Sequence, residues 1–451
     1  MTRLTPELRN RREIPPRTPG TVGPALGAAL LLALGACRPT PRASGPLPQD
    51  AYVWQRDWSS NVVQAVRDRG PAFSRVVVLA GELDLRPSPP RWTPVPFAPP
   101  PPRADTKPLT WGLALRVGPF PGPFEPEGNP IRLLRRLARE SLARAQRAGV
   151  PIAEVQIDFD CADRHLDGYR VWIEALKREL APMPVTITAL PSWLDQRSFR
   201  TLAAVTDGFV LQVHSLARPR HARDPLPLCD PVAARLAVER AARIAGEVPF
   251  RVALPTYGYR LAYGPDGTFL GASAEGPLPE YRTGTVLRDL EADPAAMASL
   301  VARWTTDRPT TMQGLIWYRL PVTGDQSNWR WPTLVEVMAG KTPKARLATS
   351  IQATTPGLAE ITLINSGTAD FSGPVAVRAR WSEARRVGAD GIRGFDAFYA
   401  SSNEVLFTQA ICRLPAGEES RIGWVRLDAS VPITLEVAES APPNPEPPDP
   451  P

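Results

Sequence analysis

From Ala51 to about Gly340, eight short apolar runs alternate with stretches whose apolar residues recur at helical spacing, and this alternation constrains the fold of the 451-residue chain more than any other feature. The runs are Ala51–Gln55, Arg75–Gly81, Leu109–Val117, Ala153–Asp160, Val185–Leu190, Gly208–His214, Phe250–Tyr257 and Gln313–Leu320. Helical patterns follow most of them, at Ile131–Arg147, Tyr169–Leu180, Phe199–Val205, Val232–Ile244, Leu287–Trp304 and Trp331–Met338. Repeated strand–helix units build a parallel sheet, because each parallel return needs a crossover. Eight units in about 290 residues predict an α/β fold, a (β/α)8 TIM-like barrel over residues 51–342. A doubly wound open sheet is the alternative; it would want a Gly-rich phosphate turn after an early strand, and none is present. One unit is irregular. Pro87-Ser88-Pro89-Pro90 and Pro99–Pro102 follow the second run, and proline's missing N–H excludes a helix there. A long loop or extended arm is expected instead.

Beyond Lys344 the pattern changes. Ile361–Ile364, Val375–Trp381, Val405–Ile411, Ser420–Leu427 and Ile433–Val437 alternate with no helical stretch between them, and Asn365-Ser366-Gly367-Thr368 is a turn signal. A small β-sandwich over 343–440 is expected, followed by a disordered Pro-rich acidic tail at 441–451. At the other end, residues 1–36 read as a lipoprotein signal peptide: an Arg-rich start, an apolar run Val22–Leu34 too short to span a bilayer, then Leu34-Gly35-Ala36-Cys37. Small residues admit a peptidase and the Cys37 thiol accepts a lipid. An ordinary cleaved signal with an incidental cysteine is the alternative. Residues 37–50 are expected to be a tether. The expected address is the cell envelope, lipid-anchored, with the outer membrane facing the periplasm favoured by Arg38 after the cysteine.

The net charge of +7 overstates the basic balance. Five of the 53 basic residues and two of the 46 acidic ones lie in the leader, which leaves 48 against 44 and a net charge of +4. Arginine is spread along the chain without a concentrated stripe, so a nucleic-acid partner is not expected. Beyond Cys37 the cysteines are Cys161, Cys229 and Cys412, with no CxxC zinc spacing. Cys161 follows the fourth run and Cys229 the sixth, so a disulfide between them at the barrel mouth is a hypothesis conditional on Cα atoms within ~7 Å.

The segment Glu154-Val155-Gln156-Ile157-Asp158-Phe159-Asp160-Cys161 carries the sharpest chemical signal. Side chains alternate along a strand, so Gln156, Asp158 and Asp160 share one face and Val155, Ile157 and Phe159 the other. In a barrel the apolar face meets the helices, and the two Asp point inward near the C-terminal mouth. Two neighbouring inward carboxylates are costly without a partner, a proton or a metal, which makes Asp158 and Asp160 the candidate catalytic pair. A salt-bridge network that braces the barrel with an arginine is the structural alternative. His165, His214 and His221 lie at or after strands four and six, but no HxxxH or HExxH spacing supports a metal site, so neither metal nor cofactor is assigned. Trp54, Trp193, Tyr257 and Trp317 stand at strand ends, where rings can stack on sugar faces or simply fill the core.

Gln156–Asp160, Ala51–Arg56, Leu190-Pro191-Ser192-Trp193 and Leu211–Ser215 resemble an uncharacterised bacterial family, domain of unknown function 3142, which brings no established activity. More distantly the barrel resembles the family 18, chitinase-like glycoside hydrolases. Asp158 and Asp160 match two aspartates of that family's fourth-strand motif, while Val155 replaces the first and Ala162 replaces the catalytic Glu. Gln212, His214 and Ser215 occupy the sixth-strand motif, Leu254–Tyr259 is similar to the seventh strand, and Trp317 matches the eighth-strand sugar platform. Hydrolysis of that kind needs an acid on the leaving oxygen, and Ala162 removes it. Glu82 and Asp163 are the other carboxylates near strand ends.

These features lead to an envelope lipoprotein whose barrel binds a glycan or oligosaccharide, with cleavage left open. The expected binding residues are Glu82, Trp54, Gln212, His214, Tyr257 and Trp317. The reading from another class is a non-catalytic envelope scaffold, with the sandwich docking an envelope protein. Metal-dependent deacetylation or hydrolysis is a third.

Overall fold

The computed structural model describes residues 40–100, 108–216, 224, 226–274, 281 and 283–438. The leader at 1–36, Cys37, His221 and the tail at 441–451 lie outside the described residues. Eight parallel strands form the barrel: β1 Gln49–Val53, β2 Arg75–Asp84, β3 Trp111–Val117, β4 Ile152–Phe159, β5 Val185–Ala189, β6 Phe209–Gln212, β7 Phe250–Pro255 and β8 Met312–Tyr318. They pair in sequence order, and β8 and β2 both pair with β1, so the sheet closes. Every apolar run found in the sequence is one of these strands.

Around the barrel lie α1 Ser60–Arg69, α2 Asn129–Arg147, α3 Leu166–Leu180, α4 Arg197–Ala204, α5 Pro231–Ala245, α6 Pro294–Thr306 and α7 Trp331–Met338. Both α5 and α6 begin in the same way. Asp230 and Asp293 accept from the backbone N–H groups of the two residues after the following proline, which satisfies donors the helix leaves unpaired. The sequence pattern missed α1. It also extended α6 too far back: Val286–Glu291 is a strand, paired antiparallel with Gly258–Tyr263, and Asp293-Pro294 starts the helix after it. With Phe269–Ser273 these strands make a three-stranded sheet inserted between β7 and α6.

No helix follows β2 among the described residues. The Pro-rich arm instead folds Arg91–Pro94 antiparallel onto β2. Gly81 permits this, since a Cβ there would stand 2.3 Å from the Trp92 ring. The expected tether is partly pinned: Arg42–Ala43 pairs with Arg308–Pro309, and Leu47 is buried.

Two apolar layers hold the barrel. Val76, Val78, Leu113, Leu115, Val155, Ile157 and their neighbours face the helices. Val77, Leu79, Ala114, Val210, Ala253 and Ile316 fill the interior below Tyr52 and Trp54. The C-terminal part is a pair of four-stranded antiparallel sheets. One is ordered β9 Leu347–Thr355, β10 Leu358–Asn365, β15 Glu419–Leu427, β12 Arg386–Gly391. The other is ordered β13 Asp396–Ser401, β14 Glu404–Leu414, β11 Phe371–Trp381, β16 Ile433–Ala438. The sequence had shown five of these eight strands. The missing three, β9, β12 and β13, are sheet edges with only one buried residue among them and little apolar alternation. Asn365 opens the expected turn. It is fully buried, donates to the carbonyls of Ala369 and Leu414, and accepts from the N–H groups of Arg346 and Gly367.

Candidate functional site

Strand parity places the chemistry on β4. Val155, Ile157 and Phe159 pack into the helix layer, while Glu154, Gln156 and Asp158 rise through the interior in that order. Each has a different partner. At the floor, Arg251 holds Asp50 at 2.6 Å and Glu154 at 2.8 Å, and Arg75 joins Glu154 at 2.9 Å. Burial raises the Glu154 carboxyl, but Arg251 and Arg75 outweigh it and hold the group below its ordinary range. The bracing network weighed for Asp158 therefore exists, but at Glu154, four residues earlier on the same strand. In the middle, Gln156 is fully buried and donates to the Tyr52 hydroxyl at 2.6 Å.

At the mouth, Asp158 Oδ1 accepts from the Thr188 hydroxyl at 2.7 Å. Burial pushes the Asp158 carboxyl above the ordinary carboxylate range. Thr188 and Arg116 oppose that rise, and Asp160 and Glu82 add to it. Asp160 lies just past the strand, half exposed, with Oδ2 at 3.3 Å from Nη2 of Arg116. The two carboxyls thus differ in kind: one is driven toward its neutral form, the other faces a guanidinium.

Around them is a cavity of about 190 Å³ lined by Tyr52, Trp54, Arg116, Asp158, Asp160, Thr188, Gln212, His214, Ala253, Tyr257, Tyr259 and Tyr318. Seven of the eight barrel strands, or their ends, contribute polar side chains to it. His214 Nδ1 is 3.3 Å from the Tyr257 hydroxyl, and its ring stacks on Tyr318 at 5.5 Å. Burial lowers its pKa to about 3, so it is a neutral hydrogen-bonding group and not a cation. Gln212 is positioned by its own bond to the His214 carbonyl. Tyr52, Trp54 and Tyr318 contact one another edge-on or tilted, with centroids 5.3–5.9 Å apart. Buried polar atoms without a partner among the described residues, Trp54 Nε1 and Gln156 Oε1, belong to the residues lining or underlying this cavity.

The structure brings together Trp54, Asp158, Asp160, Gln212, His214 and Tyr257 of the expected set, and places the rest elsewhere. Trp317 is fully buried and packs on Trp329, with Nε1 bonded to Gln49; odd parity on β8 turns it to the helices, and Tyr318 lines the mouth instead. Trp193 likewise packs between Tyr169 and Phe199 in the core. Glu82 does not line the cavity and is engaged by Arg56 at 2.9 Å. Cys161 and Cys229 are free thiols, so the hypothesised disulfide is not formed; both are buried, which pushes their pKa up to about 12. Among the described residues no group of three or more His, Cys, Asp or Glu is placed to hold a metal. Sequence reasoning missed Tyr52, Arg116, Thr188, Tyr259 and Tyr318. Tyr52, Arg116, Thr188 and Tyr318 occupy inward positions near the C-terminal ends of their strands, a signal legible once the register of each strand is known.

Residues 348–428, in the sandwich, match the model of a domain of unknown function (DUF8456). No curated protein matches the chain. Among solved structures, the spore cortex-lytic enzyme SleL of Bacillus cereus aligns at 11% identity over 66% of this chain and 75% of its own, with a TM-score of 0.43. A chitinase from Chromobacterium violaceum aligns at 15% identity over 65% of this chain and 99% of its own, with a TM-score of 0.41. A chitinase from Bacillus thuringiensis aligns at 10% identity over 87% and 100%, also at 0.41. Residues 129–323, which carry α2 through β8 and most of the mouth, match the model of the domain of unknown function DUF3142, the family the sequence resembles.

Proposed function

We propose that the barrel mouth binds a glycan and seats one sugar ring between its aromatic rim and the Asp158–Asp160 pair. The observation that carries this reading is the composition of one small cavity: Tyr52, Trp54, Tyr257, Tyr259 and Tyr318 beside Asp158, Asp160, Arg116, Thr188, Gln212 and His214. Sugar C–H faces stack on rings, and sugar hydroxyls need donors and acceptors fixed in advance. At about 190 Å³ the space is below the usual few hundred Å³ of a small-molecule site and suits a single ring.

A second reading, hydrolysis, is favoured by the unequal carboxyls. Asp158 would give a proton to the glycosidic oxygen, the Asp160 carboxyl beside Arg116 would face the developing oxocarbenium ion, and water would add to the anomeric carbon and return a proton to Asp158. The cellular setting proposed from the leader is the envelope, with a lipid on Cys37 and the membrane as a partner through it. The scaffold alternative keeps the sandwich as a docking module for an envelope protein.

Calorimetry of the Cys37→Ser chain against a glycan panel, with product analysis by mass spectrometry, tests both readings. Binding that weakens about tenfold in Asp158→Asn, the scale of one lost buried hydrogen bond, supports the first. Shorter glycans formed by wild type and not by Asp158→Asn support the second. Absence of binding to every glycan, with unaltered stability in Asp158→Asn, returns the protein to the scaffold class.

A further inference from the structure

The starts of the strands and the ends of the helices share the face of the barrel opposite the mouth. A groove of about 440 Å³ lies on that face, between the last turns of α2 and α3 and the starts of β4 and β5. Gln146 is the polar residue in its lining, and the rest is apolar. Pro151, Pro182 and Pro184 stand exposed there, and Leu142, Ile152 and Met183 are half-buried. Such surface on a charged protein marks a place of contact.

Cations share the face. Arg147 ends α2, Arg178 lies in the last turn of α3, and Arg243 and Arg303 hold the same place on α5 and α6. All four are exposed, and none makes an ion pair among the described residues. Acidic neighbours are engaged, Asp207 by Lys177 and Asp307 by Arg42, and Glu247 offsets one of the four charges. The face is therefore apolar in part and positive in balance.

The chain also enters here. Arg42–Ala43 pairs with Arg308–Pro309, just ahead of β8, and Arg42 is fixed by Glu239 and Asp307, each at 2.7 Å. Arg42 comes five residues after Cys37. An extended chain spans at most ~3.6 Å per residue, so a lipid on Cys37 is held within about 18 Å of Arg42. The sandwich joins the barrel at the other end of α7, where Arg330 pairs with Glu418 at 3.5 Å.

We propose that this face of the barrel docks on an anionic phospholipid bilayer and turns the mouth away from the membrane. The inference rests on the lipid anchor proposed for Cys37 and adds an orientation to it. The anchor holds the chain at the bilayer, and cations beside apolar surface select the face that meets it. The guanidiniums of Arg147 and Arg178 meet lipid phosphates, and the apolar lining between them sits at the level of the headgroups.

The test uses the lipidated chain, purified from bacterial membranes and returned to phosphatidylcholine vesicles with or without phosphatidylglycerol. A spin label is placed by Gln146→Cys on the groove or by Arg164→Cys at the mouth end, and the parent chain gives the background of its buried thiols. On anionic vesicles, access of a water-soluble nickel chelate to position 146 is expected to fall at least about threefold relative to detergent, while position 164 stays open. The protection should fade in about 0.5 M NaCl, because accessible charges are screened. Arg147→Glu with Arg178→Glu should abolish it at an unchanged melting temperature. Equal access at both positions, or protection indifferent to lipid charge and to both substitutions, overturns the proposal. Protection that persists in detergent together with a doubled mass means that a second copy covers the face, and overturns it too. If labelled palmitate enters the chain while position 146 stays open, only the docking fails. If palmitate does not enter, the anchor fails and the orientation falls with it.

Discussion

Thr188 donates its hydroxyl to Asp158 Oδ1 at 2.7 Å, across the parallel pair of β4 and β5. This bond favours the ionised carboxyl, yet burial drives the group the other way and wins. A carboxyl kept above its ordinary range by the fold is a stability liability that a binding or catalytic role would explain.

Asp158→Asn should therefore raise stability at neutral pH while it weakens glycan binding. The folded state raises this pKa, so between the unfolded value and the folded one the native chain holds more protons than the unfolded chain. Stability from this group is fully present below the unfolded pKa and is lost as pH rises through the folded one. The melting-temperature gain of the variant should grow from acid to neutral pH. A gain that is flat with pH, or a loss, would show that the carboxyl is not displaced.

His214 should stay neutral until strongly acid pH. Burial lowers its pKa to about 3, so the unfolded chain binds a proton that the native chain refuses. Its contribution is present above the unfolded pKa and falls away as pH drops from about 6.5 toward 3. Histidine ring resonances followed by NMR should show no titration of His214 above pH 5, and His214→Gln should flatten the acid limb of the stability curve.

The barrel floor should be intolerant of a missing partner. Arg251→Met leaves Asp50 and Glu154 buried with only Arg75 nearby, and should cost about 3–5 kcal/mol in urea unfolding. A loss under about 1 kcal/mol would mean that water reaches the floor and screens it. For Glu154 the pKa is lowered, so its contribution is present above the unfolded pKa and disappears as pH falls through the folded value.

Labelled palmitate should enter the wild-type chain and not Cys37→Ala when both are expressed in a bacterium with the lipoprotein pathway. Equal incorporation would remove the lipid anchor from the proposal.

Residue order alone determined the barrel, because a strand buried on both faces reads as a short apolar run wherever it pairs. It also determined that no helix could follow β2, where proline forbids one, and that Asp158 and Gln156 point inward, since strand parity is local. The edge strands β9, β12 and β13 were hidden because their partners, and not their own patterns, make them strands. The site was half legible for the same reason. Trp317 and Tyr318 are adjacent and both aromatic, and only the register of β8 against β1 and β7 sends one to the helices and the other to the mouth. Likewise Arg116 meets Asp160 from a position 44 residues away, and Arg251 meets Glu154 from 97. Those ion pairs decide which acidic side chain braces the barrel and which is left for a ligand. Closure of the sheet sets those distances, and closure is a property of eight strands together.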